Sequence, residues 1–337
     1  MIKIDNKIKN EYRNKNILIT GGTGSIGIAL VKKLIGCKPK VIKILTNDEN
    51  SIFDSRKILG ENKIIKYIVG DIRDKERCEL SLRNVDIVFH TAAMKHIDIC
   101  EENPFDAVKT NVLGTSNILE SSILEGVSKF IFISTDKATN PTTTLGASKM
   151  LAERLTLVAG TYNENKKTVF SIVRFGNVIG SRGSVFQIFF QQLKKNLPLT
   201  VTDKRMTRFI MSISDAASMI LKIGNIAKDS ETFILKMPSV RIEEFAKSMI
   251  EVYKQKTGVT KTSKIRISKI REYERFNEML VTNDEIEFCH DLGDMYKISK
   301  KQAKKPLSLK EFNSGTSKKI SKNNLHKVIS EIFDEVN

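Results

Sequence analysis

Ile17-Leu18-Ile19-Thr20-Gly21-Gly22-Thr23-Gly24-Ser25-Ile26-Gly27 is the stretch on which the reading of the fold depends. Its first four residues have the apolar, β-branched character of a short buried strand, and the run Ile26–Ile35 that follows has helical length and period. Between them the glycines each have a separate use. Gly21 permits the tight turn leaving the strand, Gly24 lets backbone approach a pyrophosphate, and Gly27 lets the helix lie close on the sheet. The helix start offers unpaired N–H groups and a partial positive charge, so Thr23, Ser25 and Ile26 are expected beside the phosphates with the glycines. A glycine-rich turn alone is a weak signal. At the head of a strand–helix series it predicts a bound dinucleotide.

That series continues outward. Val41–Leu45, Ile64–Val69, Val85–Phe89, Phe130–Ser134 and Ser171–Phe175 read as buried strands, with helices over Ser51–Leu59, Lys75–Leu82 and Pro104–Glu125. Pro104 suits a first helical turn, where its missing N–H is not needed. Strict alternation predicts an α/β protein with a Rossmann-type doubly wound parallel sheet. Beyond this the pattern loosens. Helices are expected at Val185–Lys195, Asp215–Ile226 and Ile242–Tyr253, with short strands at Leu199–Val201, Thr232–Leu235 and Lys264–Ile267. The expected division is an N-terminal extension over 1–14, a dinucleotide-binding domain over 15–176 to which later segments return, a mainly substrate-binding α/β lobe over 177–300, and a polar arm over 301–337. The arm is Lys/Ser-rich from Lys301 to Asn323, extended or partly disordered, and ends in a short helix, Leu325–Phe333.

Composition narrows the possibilities. The 337 residues are 40% hydrophobic, enough for a full α/β core and a smaller lobe. No apolar run reaches the ~20 residues of a membrane helix, and MIKIDNKIKN lacks a signal peptide's apolar stretch, so a cytoplasmic protein without membrane insertion is expected. Cys37, Cys78, Cys100 and Cys289 form no C-x-x-C pair and no zinc spacing, so they read as reduced structural thiols with no metal site. The net charge of +17 is dispersed, and with no Trp there are few stacking platforms. It therefore predicts solvated lysine faces and an acidic small substrate, and no nucleic-acid partner.

The second strand ends in Thr46 and Asn47, with acids only at Asp48 and Glu49. An acid at the strand end would repel a ribose 2′-phosphate. The neutral pair favours NADP, with NAD as the alternative. Asp71, after the third strand, is placed to meet the adenine edge or to cap a helix. The fifth strand runs into Ser134-Thr135-Asp136-Lys137, where ligands of open α/β sheets bind. An acid and an amine side by side there point to proton chemistry, with a surface ion pair as the plainer reading. Leu145 and Lys149 lie four apart on one helix face.

At these residues the chain resembles the extended short-chain dehydrogenase/reductase superfamily, which carries Tyr-x-x-x-Lys on this helix. Lys149 matches the lysine that grips the nicotinamide ribose, and Leu145 stands at the tyrosine. Ser134-Thr-Asp-Lys-Ala138, Asn140-Pro141 and Gly146-Ala-Ser-Lys149 narrow the resemblance to the CapD/CapE-type polysaccharide-biosynthesis enzymes, nucleotide-sugar 4,6-dehydratases in which Met commonly replaces that tyrosine. His90-Thr-Ala-Ala-Met-Lys95-His96, Arg174-Phe-Gly-Asn177 through Ser184, and Met206-Thr-Arg208-Phe209 agree with it, and it covers about Lys15 to Lys300. Three positions depart: Asn47 stands where the family usually has Arg, Arg271-Glu-Tyr273-Glu274-Arg275 replaces R-x-G-E-K, and Ile97-Asp98 replaces Val-Pro.

The resemblance implies a homo-oligomeric enzyme for a nucleotide sugar, UDP-N-acetylglucosamine or a similar N-acetylhexosamine nucleotide. It places Ile72, Ala92, Ala93 and Lys95 at the cofactor. Substrate is implied at Lys95, His96, Asn177, Arg182, Arg208, Arg271, Glu274 and Arg275. The arginines suit a diphosphate, although arginines on a solvated face are the competing reading. Oxidation at C4 acidifies C5–H. By resemblance Asp136 then protonates the departing C6 hydroxyl and Lys137 removes the C5 proton. Those roles call for an Asp136 pKa raised and a Lys137 pKa lowered. With Leu145 inert, Thr135, Asp136 or water held by Ser134 are candidates for the C4 base. Two alternatives stand beside this reading. One is a nucleotide-sugar 4-epimerase, which normally needs the tyrosine. The other is a catalytically silent NAD(P)-binding regulatory protein, which the missing tyrosine favours and the intact Asp136, Lys137 and Lys149 oppose.

Overall fold

The computed structural model describes residues 4–162, 168–259, 263–270, 273–305 and 307–336. Its centre is a nine-stranded sheet built from β1 (Asn16–Thr20), β2 (Val41–Thr46), β3 (Ile65–Val69), β4 (Ile87–His90), β5 (Lys129–Thr135), β6 (Val169–Phe175), β10 (Glu231–Leu235), β13 (Cys289–Asp291) and β14 (Met295–Ile298). The spatial order is β13-β14-β10-β6-β5-β4-β1-β2-β3, parallel from β3 to β10 and closed at one edge by the antiparallel β14 and β13. Strand order reverses at β1, which lies between β2 and β4, so a ligand crevice opens beyond its carboxyl end.

Successive strand residues face opposite sides. Ile17 and Ile19 accordingly join one core, with Leu30, Val31 and Leu34 of α2 (Ser25–Ile35) and Met219, Ile220 and Ile223 of α10 (Ile213–Ile226). Leu18, Val88, Phe130 and Phe132 join the other, with Ile118 and Leu119 of α7 (Gly114–Leu124) and Ala152 of α8 (Thr144–Ala159). Leu30, Val31 and Leu34 are 0% exposed, and each such side chain contributes ~2 kcal/mol of burial. The remaining helices of this half are α3 (Glu49–Leu59), α4 (Lys75–Leu82), α5 (Ile97–Glu102) and α6 (Pro104–Val108).

A separate core lies among α9 (Val185–Lys194), α11 (Ile242–Thr257) and α12 (Lys322–Val336), where Phe186, Phe189, Phe190, Phe245, Leu325 and Phe333 pack together. Beside it run β7 (Asn177–Ile179), β9 (Thr207–Ser212) and β11 (Ser239–Arg241) as one small sheet, and β8 (Leu199–Val201) with β12 (Ile265–Ile267) as another.

Four departures from expectation have physical causes. The strand Thr232–Leu235, expected in the second lobe, is β10 and pairs in parallel with β6 in the main sheet. Its short apolar run carries no mark of which sheet will accept it. The polar N-terminus holds α1 (Asn6–Tyr12), capped by Asp5 and anchored by the fully buried Tyr12, whose hydroxyl donates to Leu221 O at 2.6 Å. Two buried residues, Ile8 and Tyr12, are too few to register as a period. The helix expected over Pro104–Glu125 is interrupted by a π-helical stretch, Lys109–Leu113, which turns Asn111 inward to bond Met94 and Ser148. In the 301–323 arm, Phe312 is buried against Tyr296, with ring centroids 4.6 Å apart.

Candidate active site

The glycine turn has the shape its sequence requires. Gly21 adopts φ +63°, and a Cβ there would lie 2.8 Å from the Ala92 Cα. A Cβ on Gly27 would collide with the Gly22 backbone, so the α2 backbone can sit this close only without one. Gly24 caps α2 with no side-chain hydrogen bond, which leaves the helix's first N–H groups for an anion. These features fit a dinucleotide pyrophosphate. Next to them a cleft of about 340 Å³ is lined by Gly21, Thr46, Asn47, Asp71, Ile72, Arg73, Ala92 and Ala93, among others.

The flanking groups divide by what they hold. Thr23 is buried, and its hydroxyl is used between Thr46 and Ser51, tying the turn to α3. Ile26 packs on the main core, and Ser25 accepts the Arg182 N–H at 3.0 Å. Asn47 donates to Asp71 at 3.1 Å. Asp71 does not cap α4, because Asp74 does. Burial alone would raise the Asp71 carboxyl, but hydrogen bonds from Arg73 and Asn47 hold it below its ordinary value. Arg73 went unnoticed in the sequence. It pairs with Asp71 at 2.7 Å and with Asp106 at 3.4 Å, and stays 43% exposed in the cleft.

The reaction-centre candidates gather at the carboxyl end of β5. Asp136 is fully buried; its Oδ1 accepts from Thr135 Oγ1 at 3.0 Å and from Lys137 Nζ at 2.9 Å. Its Oδ2 and the Ser134 hydroxyl are buried and have no hydrogen-bond partner among the described residues. Gly176 makes room here, since a Cβ on it would lie 3.0 Å from Asp136 Oδ2. Lys137 contradicts the downward shift expected for it. Burial does pull its ammonium down, but the carboxylates of Asp136 and Glu278 outweigh that and hold it above its ordinary value. Glu278 also escaped the sequence reading. It is 4% exposed, with Oε1 at 3.8 Å from Lys137 Nζ and 3.6 Å from Arg208 Nε.

Lys149 lies on α8, where its ammonium donates to Ile133 O at 2.7 Å and sits 4.0 Å over the Phe132 ring. Burial draws it down to about 7, with Glu153 opposing. Leu145 is turned inward against Cys100 and Ala107. Neighbouring His90 bridges Thr20 and Thr115, and burial, with Lys149 adding, lowers its pKa to about 3, so it is a neutral structural strut.

The expected substrate residues fall in different places. Lys95 donates to the Arg182 carbonyl, and His96 packs so tightly on Gly183 that a Cβ there would touch its ring. Asn177 and Arg208 line one small apolar cavity with Phe186 and Phe245. Arg208 is also tied to the Thr207 carbonyl at 2.8 Å. Arg275 donates to Thr139 O and Thr142 Oγ1, both at 3.1 Å, and so braces the loop that follows Asp136. Glu274 is half-buried just before it, and Arg271 lies outside the described residues. Among the described residues no cluster of His, Cys, Asp or Glu could hold a metal, all four cysteines are buried free thiols, and no helix is long and apolar enough to cross a membrane.

A crevice at the switch point of a doubly wound sheet, opened by a glycine turn, defines the class as a dinucleotide-binding α/β protein. Within that class the chain belongs to the polysaccharide biosynthesis protein family, which it matches over residues 17–300. An uncharacterized membrane protein of Methanocaldococcus jannaschii is 45% identical over 331 residues, covering 96% of this chain and 98% of that one. A UDP-N-acetylglucosamine 4,6-dehydratase (inverting) of Campylobacter jejuni is 39% identical over 292 residues, covering 86% and 84%. Other relatives of nearly the same similarity, from Rickettsia, are called UDP-glucose 4-epimerase. Among solved structures, Pen from Bacillus thuringiensis superposes with a TM-score of 0.88 at 39% identity, covering 95% of this chain and 98% of its own.

Proposed function

We propose that this protein is a nucleotide-sugar 4,6-dehydratase acting on UDP-N-acetylglucosamine or a similar N-acetylhexosamine nucleotide, with a nicotinamide dinucleotide held at the β1–α2 turn. The observation that carries the proposal is the ion pair of fully buried Asp136 with half-buried Lys137 at the rim of β5, beside an α8 that has Lys149 but an inward-facing leucine at the tyrosine position. An epimerase has little use for an acid and an amine at that point. A dehydratase needs both, because it must remove the proton at C5 and protonate the oxygen leaving C6.

The bound dinucleotide supplies hydride acceptance from C4 and its return to C6. The chain's own residues do the rest. Lys149, held by Ile133 O, would hold the nicotinamide ribose. Asp136 delivers a proton to the C6 hydroxyl, which departs as water. Lys137, which its neighbours keep an ammonium at rest, first releases that proton to solvent and then takes the C5 proton; a proton returns to C5 as hydride reaches C6. Thr135, bonded to Asp136, provides a path by which the C4 hydroxyl proton reaches the carboxyl. Thr46 and Asn47 leave room for a 2′-phosphate, and Arg73 in the same cleft supplies a cation for it, which supports NADP.

Mass spectrometry after incubation with UDP-N-acetylglucosamine is the direct test. A product lighter by one water is expected, and an unchanged mass with altered stereochemistry indicates epimerisation. Asp136→Asn and Lys137→Ala should each abolish product while cofactor stays bound. Full activity in both variants refutes the site assignment.

A further inference from the structure

The segment after Arg275 brings a buried carboxylate to the reaction centre, and nothing in the proton chemistry above employs it. Glu278 is fixed through its backbone: its N–H donates to Ser314 Oγ at 2.8 Å, and its carbonyl accepts the Ser314 N–H at 2.9 Å. Its side chain is 6% exposed. One oxygen lies between two cations, 3.8 Å from Lys137 Nζ and 3.6 Å from Arg208 Nε. The other, Oε2, is buried with no hydrogen-bond partner among the described residues, as is Oδ2 of Asp136. Two buried carboxylates thus flank one ammonium, and each has a lone oxygen to spare. Burying such a carboxylate carries a desolvation penalty, which the two neighbouring cations offset.

We infer that Glu278 is a positioning residue of this site: with Asp136 it forms a two-carboxylate cradle around Lys137 Nζ, and its charge governs whether that lysine stands as ammonium or as free amine. The charged groups around it are Asp136 at the end of β5, Arg208 on β9 and Arg275 on the preceding loop. Burial raises the Glu278 carboxyl, Lys137 opposes this, Asp136 adds to it, and Arg208 and Arg275 oppose it. For Lys137 the two carboxylates favour the ammonium, while Arg208 favours the amine. An ionised Glu278 therefore stores the proton on Lys137. Neutralising Glu278 frees the amine that the chemistry at C5 requires.

The inference rests on the proposed function for its purpose but not for its test. In the full-length, cofactor-free chain, competitive acylation by acetic anhydride across pH, quantified on the Lys137 peptide, reads the lysine's protonation directly. Glu278→Gln should lower the labelling midpoint by about one pH unit or more, the size expected when one close charge is removed from a partly shielded pair. Glu278→Asp, which keeps the charge, should restore most of the difference. Arg208→Gln should move the midpoint upward. Equal midpoints in folded Glu278→Gln and wild type overturn the inference, as does a fall in Glu278→Asp as large as that in Glu278→Gln. If Glu278→Gln does not fold, an unmoved or lowered midpoint in Arg208→Gln overturns it. The same variants, reloaded with NADP or NAD and given UDP-N-acetylglucosamine, report the dehydratase reading separately. With turnover, the acid limb of the kcat–pH profile should move down in Glu278→Gln, whereas loss of packing would lower kcat equally at every pH.

Discussion

Arg174, on β6, is 3% exposed and engages two carboxylates at once. It meets Glu153 of α8 through Nε at 3.0 Å and Nη2 at 2.6 Å, and Glu285 through Nη1 at 2.8 Å and Nη2 at 2.9 Å. Nη1 also donates to the Leu280 carbonyl at 2.9 Å, two residues beyond Glu278. This fork clamps the segment that carries Glu278 against the sheet. Replacing Arg174 with Met keeps the volume but leaves two carboxylates without their cation. Removing one partner of a buried pair costs ~3–5 kcal/mol. With a urea m-value of ~3 kcal/mol/M for a long chain, that is a fall in unfolding midpoint of about 1 M or more.

The loss must also depend on pH. Burial pushes the Glu285 carboxyl up, but Arg174 and Thr282 overcome that and hold it below its ordinary value. A carboxyl depressed in the folded state contributes stability above its unfolded pKa of ~4.3 and loses it as pH falls through the folded value. The gap between wild type and Arg174→Met should therefore be widest above about pH 5 and narrow towards pH 4 and below. Urea titrations followed by circular dichroism at pH 7.5 and pH 4 measure both effects. A loss below ~1 kcal/mol at pH 7.5, or one that does not shrink in acid, refutes the clamp.

Two further outcomes follow from the same geometry. Because burial holds Lys149 at about 7 and an unfolded lysine titrates near ~10.4, the unfolded chain binds an extra proton between those values, and the cofactor-free protein should gain stability as pH rises across that window. Thermal melts of Lys149→Met should lack that share of the rise, and parallel curves for both proteins would show that the lysine is not desolvated. Arg73→Ala should lower the preference for NADP over NAD by about tenfold in fluorescence titrations, as expected when a charged hydrogen bond to phosphate is removed. An unchanged ratio would assign 2′-phosphate recognition elsewhere.

What sequence alone determined was local. The Gly21–Gly27 turn, the five apolar strand runs up to Ser134, and the Asp136–Lys137 pair are each decided by residues adjacent in the chain. A φ beyond glycine's neighbours, a period of burial, or a side-chain pair at a strand end can be read without knowing what packs on it. Even Leu145 at the tyrosine position was legible, since it lies one helical turn from Lys149.

What only the tertiary structure decided was long-range. The sheet that takes up β10 depends on contacts with β6, about sixty residues earlier. The sign of the Lys137 shift reversed because the fully buried Asp136 beside it, together with Glu278, which arrives within 3.8 Å from far along the chain, outweighs burial. Arg275, expected at a diphosphate, is instead bonded to Thr139 and Thr142. Electrostatic energies depend on distance and burial, and neither is a property of sequence separation.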